Sequence, residues 1–167
     1  MLTRRQLLLT AGAATAALAA AAGGIAHRWV RRPAADGYRV LSFEEAAYVR
    51  ALAAVAWPGA PDRLDGADAA LDHYLDQMMV VMPGPPQDAL KVLLHALDDY
   101  PLPTRGASFH ALDRAAQEEV FQALFHHDLH AVRSGIVSVV VMLGMGYTTH
   151  PEMAATMSGL YKCGYGS

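Results

Sequence analysis

The stretch Ile136-Val137-Ser138-Val139-Val140-Val141-Met142-Leu143-Gly144-Met145-Gly146 decides the fold class of this chain. Its β-branched residues favour a strand, and a strand running into Gly144-Met145-Gly146 would open a dinucleotide-binding fingerprint. Two features argue against that reading. Thr149 stands where the third glycine is needed, and only twenty-one residues follow Gly146, too few to complete a βαβ unit. No companion strands are predicted elsewhere. The run therefore reads as the second half of a helix from Asp128 to Leu143, apolar all round because it forms the centre of a small helical bundle.

Working outward, the flanking segments carry helical spacing. Phe109 and Leu112 sit a turn ahead of a helix that starts at Asp113 and carries Gln117, Val120, Phe121, Leu124 and Phe125. Before it, Leu90, Leu93, Leu94 and Leu97 form the stripe of a helix over Gln87 to Leu97, with Pro101 and Pro103 breaking the chain after it. A helix from Ala67 to Met79 presents Leu71, Tyr74, Leu75, Met78 and Met79 on one face and is closed by Pro83-Gly84-Pro85-Pro86. The first helix starts at Ser42. Ser42-Phe43-Glu44-Glu45 has capping-box spacing, and Trp57-Pro58-Gly59 stops the helix. The expectation is an all-α domain over 42–167, preceded by a linker over 27–41.

No catalytic constellation emerges from these segments. Asp98 and Asp99 are adjacent on a helix and point in different directions, a poor acid–base couple. Ser134 and Ser138 lie four residues apart on an apolar helix, where back-bonding to carbonyls is expected. His126 and His130 are also four apart, a spacing used for metal ligation, with Asp128 nearby and His95 or His150 as a third ligand from elsewhere. The plainer account is a solvated helix end whose histidines meet the helix dipole. Met78, Met79 and Met82 read as core filling.

Composition narrows the function classes. All sixteen acidic residues lie beyond residue 35, so the body of the chain is acidic and nucleic acid is not an expected partner. The one cysteine, Cys163, excludes an internal disulfide, a CxxC pair and a CxxCH haem site.

The N-terminus says where the protein works. Met1 to Ala26 opens with Arg4-Arg5 ahead of an Ala/Leu run without acidic residues, and Ala20-Ala21-Ala22 fits a cleavage site. That pattern resembles a twin-arginine (Tat) export signal. Left uncleaved, a run of about 20 residues could instead anchor the chain in a bilayer. Export places the protein in the periplasm, with any complex at the periplasmic face of the inner membrane.

Taken together, the export signal, the aromatic-Pro-Gly break at Trp57-Pro58-Gly59 and four further internal motifs resemble the gluconate 2-dehydrogenase subunit 3 family. The motifs are L-S-x-x-E at Leu41 to Glu45, A-x-x-x-x-D-x-x-L-D at Ala67 to Asp76, F-x-x-L-x-x-x-x-Q-x-x-V-F at Phe109 to Phe121, and G-Y-x-T-x-P-E at Gly146 to Glu152. The C-terminal tail from Met153 departs from the Gly-Gly-Asn-like ending of relatives. The resemblance implies a non-catalytic small subunit that holds no cofactor itself. It implies FAD in a catalytic large subunit, with an iron–sulfur cluster and c-type haems in partner subunits, a cytochrome c subunit among them. It also implies that this chain stabilises the large subunit and escorts it through the Tat translocase.

On that view Cys163, followed by Gly164 and Gly166 near the C-terminal end, is a candidate for an intersubunit disulfide, the alternative being a buried cysteine that acts as a small hydrophobe. Tyr147, Thr148, His150, Pro151, Tyr161 and Tyr165 are candidate partner contacts. Two rival readings remain: a periplasmic metal-binding or redox-accessory protein using His126 and His130, and an uncleaved anchor for a complex.

Overall fold

The computed structural model describes residues 23–154 apart from Asp62. The chain divides into two units, Met1–Arg32 and Pro33–Ser167. In the first, residues 23–30 are helical. The second is all-α among its described residues, where the only β-type pairing is an isolated bridge between Ala60 and Arg63.

Helix α1 (Phe43–Ala56) begins where the capping box requires. Ser42 Oγ accepts the Glu45 N–H, and the Glu45 carboxylate accepts the Ser42 N–H at 2.7 Å. Part of the expected linker belongs to the compact unit. Leu41 is fully buried, and the backbone of residues 39–41 is bound by a side chain of the next helix.

Helix α2 (Leu71–Val80) starts four residues later than its spacing predicts. The reason lies in the loop after α1. Asp65 accepts the N–H groups of Gly59 and Ala67, and the Gly66 N–H donates to Trp57 O at 2.8 Å. Gly66 is pressed so closely on α1 that a Cβ there would stand 2.1 Å from the Ala53 carbonyl oxygen. The chain leaves this loop through Ala70, whose φ of 49° is left-handed, so no helix can propagate across it.

The prolines also behave differently from expectation. Pro85 and Pro86 lie inside the first turn of α3 (Gly84–Asp98), and Leu102–Arg105 forms a short helix, α4, through Pro103. Proline is tolerated in a first turn, where its missing N–H has no partner to lose. Gly106, with φ of 72°, closes α4. A 3₁₀ turn at Phe109–Ala111 then leads to α5 (Arg114–Phe125), capped by Asp113.

The deciding stretch is helical. It lies in α6 (His130–Thr149), six residues longer than expected at its C-terminal end. The helix is not buried all round, however. Ile136, Val139, Leu143 and Tyr147 face the core, while Val137, Val141 and Met145 are exposed. α6 packs against α1, α2, α3 and α5, which lie to one side of it. Close packing is secured by small residues: a Cβ at Gly146 would meet the Tyr74 ring at 2.5 Å, and one at Gly135 would meet Leu93 at 2.9 Å. Among the described residues α6 is the one helix long and apolar enough to span a bilayer, yet here its inner face closes a bundle core. Met79 lies in that core, with Met78 and Met82 partly buried against it.

Candidate functional site

Four buried acidic groups tie the helices and loops together, and none of the ties follows from linear spacing. At the start of α1, Glu45 faces two basic side chains of α3. Lys91 Nζ lies 3.5 Å from Oε2, and His95 Nε2 lies 3.1 Å from Oε1. Lys91 also donates to the Val40 carbonyl at 2.9 Å. All three side chains are buried, and a carboxylate out of water is stable only with such partners.

On α2, the Asp76 carboxylate accepts three consecutive backbone N–H groups, those of Arg39, Val40 and Leu41, at 2.9, 2.8 and 2.9 Å. Burial pushes this carboxyl up, but the three donors outweigh it and hold it below the usual carboxylate range. One turn earlier, Asp72 accepts the Tyr38 hydroxyl at 2.5 Å and lies 3.2 Å from Arg50 Nε. Burial, reinforced by that hydrogen bond, pushes the Tyr38 phenol up to about 12. The Tyr38 ring stacks on His73 with centroids 4.6 Å apart, and the two border a shallow cleft lined also by Phe43 and Arg50.

At the end of α3, Asp98 accepts the backbone N–H of His110 at 3.0 Å and lies 2.8 Å from its ring Nδ1. Burial pushes Asp98 up, against the pull of these His110 contacts. An aspartate that orients an imidazole is a familiar element of general-base sites. Here the neighbouring hydroxyl, Ser108 Oγ, donates to Asp99 at 3.0 Å, so both acids of the adjacent pair brace the loop before α5. Lys91 and His110 were not singled out by the sequence, and His95 was considered there only as a third metal ligand, not as a partner of Glu45. The available signal was Lys91 and His95, four apart beside Leu90 and Leu94, polar residues inside an apolar stripe.

The residues expected at a partner surface are divided. Tyr147 corrects that expectation: it is 4% exposed, stacks on Trp57 with centroids 5.1 Å apart, and donates its hydroxyl to Leu64 O at 2.6 Å. It is a core residue because its ring fills the space between α6 and the loop after α1. Thr148 and Pro151 are exposed, and His150 closes α6 with its Nδ1 buried. Arg4, Arg5, Tyr161, Cys163 and Tyr165 lie outside the described residues.

The metal-ligand premise also needs correction. His126 ends α5 and His130 begins α6, so the two do not share one helical face. His127 packs edge-on against Tyr100 between them, and the loop is held by Arg133, which donates to His127 O at 2.7 Å. Among the described residues no group of three His, Cys, Asp or Glu side chains could hold a metal. Gly144 and Gly146 lie within α6, packed on Trp57 and Tyr74, and not at a strand-to-helix turn that could cradle a flavin pyrophosphate.

Residues 43–160 match the family description Gluconate 2-dehydrogenase subunit 3, a span from the first residue of α1 to beyond the end of α6. The chain belongs to the gluconate 2-dehydrogenase subunit 3 family. It is therefore a small subunit of a dehydrogenase complex. No curated protein and no solved structure matches the chain. The polar motif residues in the first three motifs of this family member turn inward. Ser42 and Glu45 cap α1, Asp72 and Asp76 hold the segment before it, and Gln117 Nε2 donates to Phe109 O at 3.1 Å.

Proposed function

We propose that this chain is the non-catalytic small subunit of a flavin-dependent dehydrogenase complex, binding and stabilising a FAD-bearing large subunit and carrying it to the periplasm as a folded passenger of the Tat pathway. The observation that carries this reading is the family match over 43–160. The fold supports it in a particular way: the acids and bases of its interior are engaged in holding helices and loops together. The Arg4-Arg5 pair ahead of an apolar run supports the export role. Electron transfer from the flavin through an iron–sulfur cluster and c-type haems belongs, on this reading, to the partner subunits. Cys163 is proposed to join this chain to the large subunit through a disulfide in the oxidising periplasm.

The test is capture of tagged protein from the periplasm, run on non-reducing and reducing gels with flavin fluorescence followed along the lanes. A larger flavin-bearing chain should co-purify, in a covalent band that collapses on reduction and is missing in Cys163→Ser. Lys residues in place of Arg4 and Arg5 should leave both chains in the cytoplasm. Protein that is captured alone and colourless would refute the proposal.

A further inference from the structure

Resting on that reading, we infer that the outward face of α6, formed by Ser134, Val137, Ser138, Val141, Met145 and Thr148, is the surface that the catalytic subunit covers. These residues recur three and four apart, so they form one continuous stripe. Val141 and Met145 are 58% and 56% exposed. Between Arg133 and Glu152 the sequence holds no Asp, Glu, Lys or Arg. A helix face that meets only water looks different, as α5 shows: Arg114 pairs with Glu118 at 2.9 Å and Glu119 with Arg105 at 2.6 Å.

The hydroxyls on the stripe are already satisfied. Ser138 Oγ donates to Ser134 O at 2.8 Å, Thr148 Oγ1 lies 3.0 Å from Gly144 O, and Ser134 Oγ lies 3.2 Å from His130 Nδ1. Covering this face with an apolar surface strands no donor, so desolvation costs little. The stripe is also rigid. Its reverse side is locked into the core by Ile136, Val139, Leu143 and Tyr147, so docking orders little that is not already ordered.

Charge selects the occupant. The compact unit Pro33–Ser167 carries eight Lys and Arg against sixteen Asp and Glu, a formal charge of −8. A second copy would bring two such bodies together, and an anionic bilayer would repel one. A protein with an apolar groove for the helix complements the uncharged stripe, and basic residues beside that groove would complement the net acidic charge of this unit. The stripe runs for about 21 Å at 1.5 Å per residue, the apolar centre of an interface whose rim is polar.

The experiment uses the full-length tagged chain co-expressed with the catalytic subunit of its complex, captured and washed under reducing conditions so that the proposed Cys163 disulfide does not itself hold the partner. Val141→Asp and Met145→Asp are compared with wild type and with Val81→Asp, an exposed apolar position outside the stripe, at the end of α2. The reading is the flavin-bearing chain retained per tagged chain, identified by mass and flavin absorbance, with a thermal melt of each variant to confirm folding. Wild type and Val81→Asp should retain the partner equally, and each α6 variant should bind at least about tenfold more weakly, as expected for a charge placed in an interface centre. If wild type retains the partner and both folded α6 variants retain it equally well, the docking face is wrong while the subunit reading stands. If wild type retains no flavin-bearing chain, both fail. Light scattering that shows a dimer lost in Val141→Asp, or pelleting with anionic phosphatidylglycerol vesicles, would then give the face to a second copy or to a bilayer.

Discussion

Replacing Asp76 by Asn tests whether one carboxylate fixes the whole entry to α1. The side chain keeps its size but loses its charge and one of its two acceptor oxygens, and it turns an NH₂ group toward backbone N–H groups that it cannot satisfy. Hydrogen bonds to a charged group contribute about 1.5–3 kcal/mol each and are not additive. Losing one bond outright and weakening the other two gives a destabilisation of about 3 kcal/mol. For a unit of this size that corresponds to a fall of roughly 10 °C in Tm.

The pH dependence supplies an independent check. The folded-state value of Asp76 is depressed, so its contribution is complete above the unfolded value of about 3.9 and is lost as pH falls through the folded value. Asn does not titrate. The gap between wild type and Asp76→Asn, followed by circular dichroism melts from pH 7 downward, should therefore close in acid. A variant that melts within about 2 °C of wild type at pH 7, or a gap that widens as pH falls, would refute the assignment.

Other consequences follow from the packing. Lys91→Met leaves Glu45 buried with His95 as its remaining basic neighbour, so urea unfolding should show a loss of about 3–5 kcal/mol, and Glu45→Gln combined with it should cost less than the two single changes added. Tyr48→Phe removes a fully buried hydroxyl that has no hydrogen-bond partner among the described residues, and its Tm should stay equal to wild type or rise; a loss above about 1 kcal/mol would contradict the geometry. The glycines should divide by contact. Gly66→Ala and Gly146→Ala, which force a Cβ against the Ala53 carbonyl and the Tyr74 ring, should each lower stability by at least about 2 kcal/mol. Gly144→Ala, 3.4 Å from Trp57, should be neutral or raise stability by roughly 0.5–1 kcal/mol in thermal melts.

The helices and their order were legible because local signals set them. The capping box at Ser42, the Asp113 cap and the leucine spacing of α3 act within a few residues of themselves, and each appears where its pattern places it. The late start of α2 was not legible, since it depends on Gly66 meeting α1 and on a left-handed Ala70. The first-turn prolines of α3 show the reverse difficulty: Pro83-Gly84-Pro85-Pro86 reads as a stop but also serves as a start.

The face of α6 is the deeper case. A run such as Val139-Val140-Val141 determines that the helix must be packed, because residues this apolar and this poor in intrinsic helix propensity need tertiary support. It cannot say how many sides are covered. Only the tertiary structure decided that, by placing α1, α2, α3 and α5 to one side and leaving Val141 and Met145 on the other. The same holds for Glu45, Lys91 and His95, which are far apart in the chain and meet only when α1 packs on α3. The sequence by itself determined an all-α small subunit of a dehydrogenase complex, through short-range spacing and family motifs. Which of its polar residues are spent inside, and which apolar face is left exposed, are long-range outcomes of packing that no local pattern encodes.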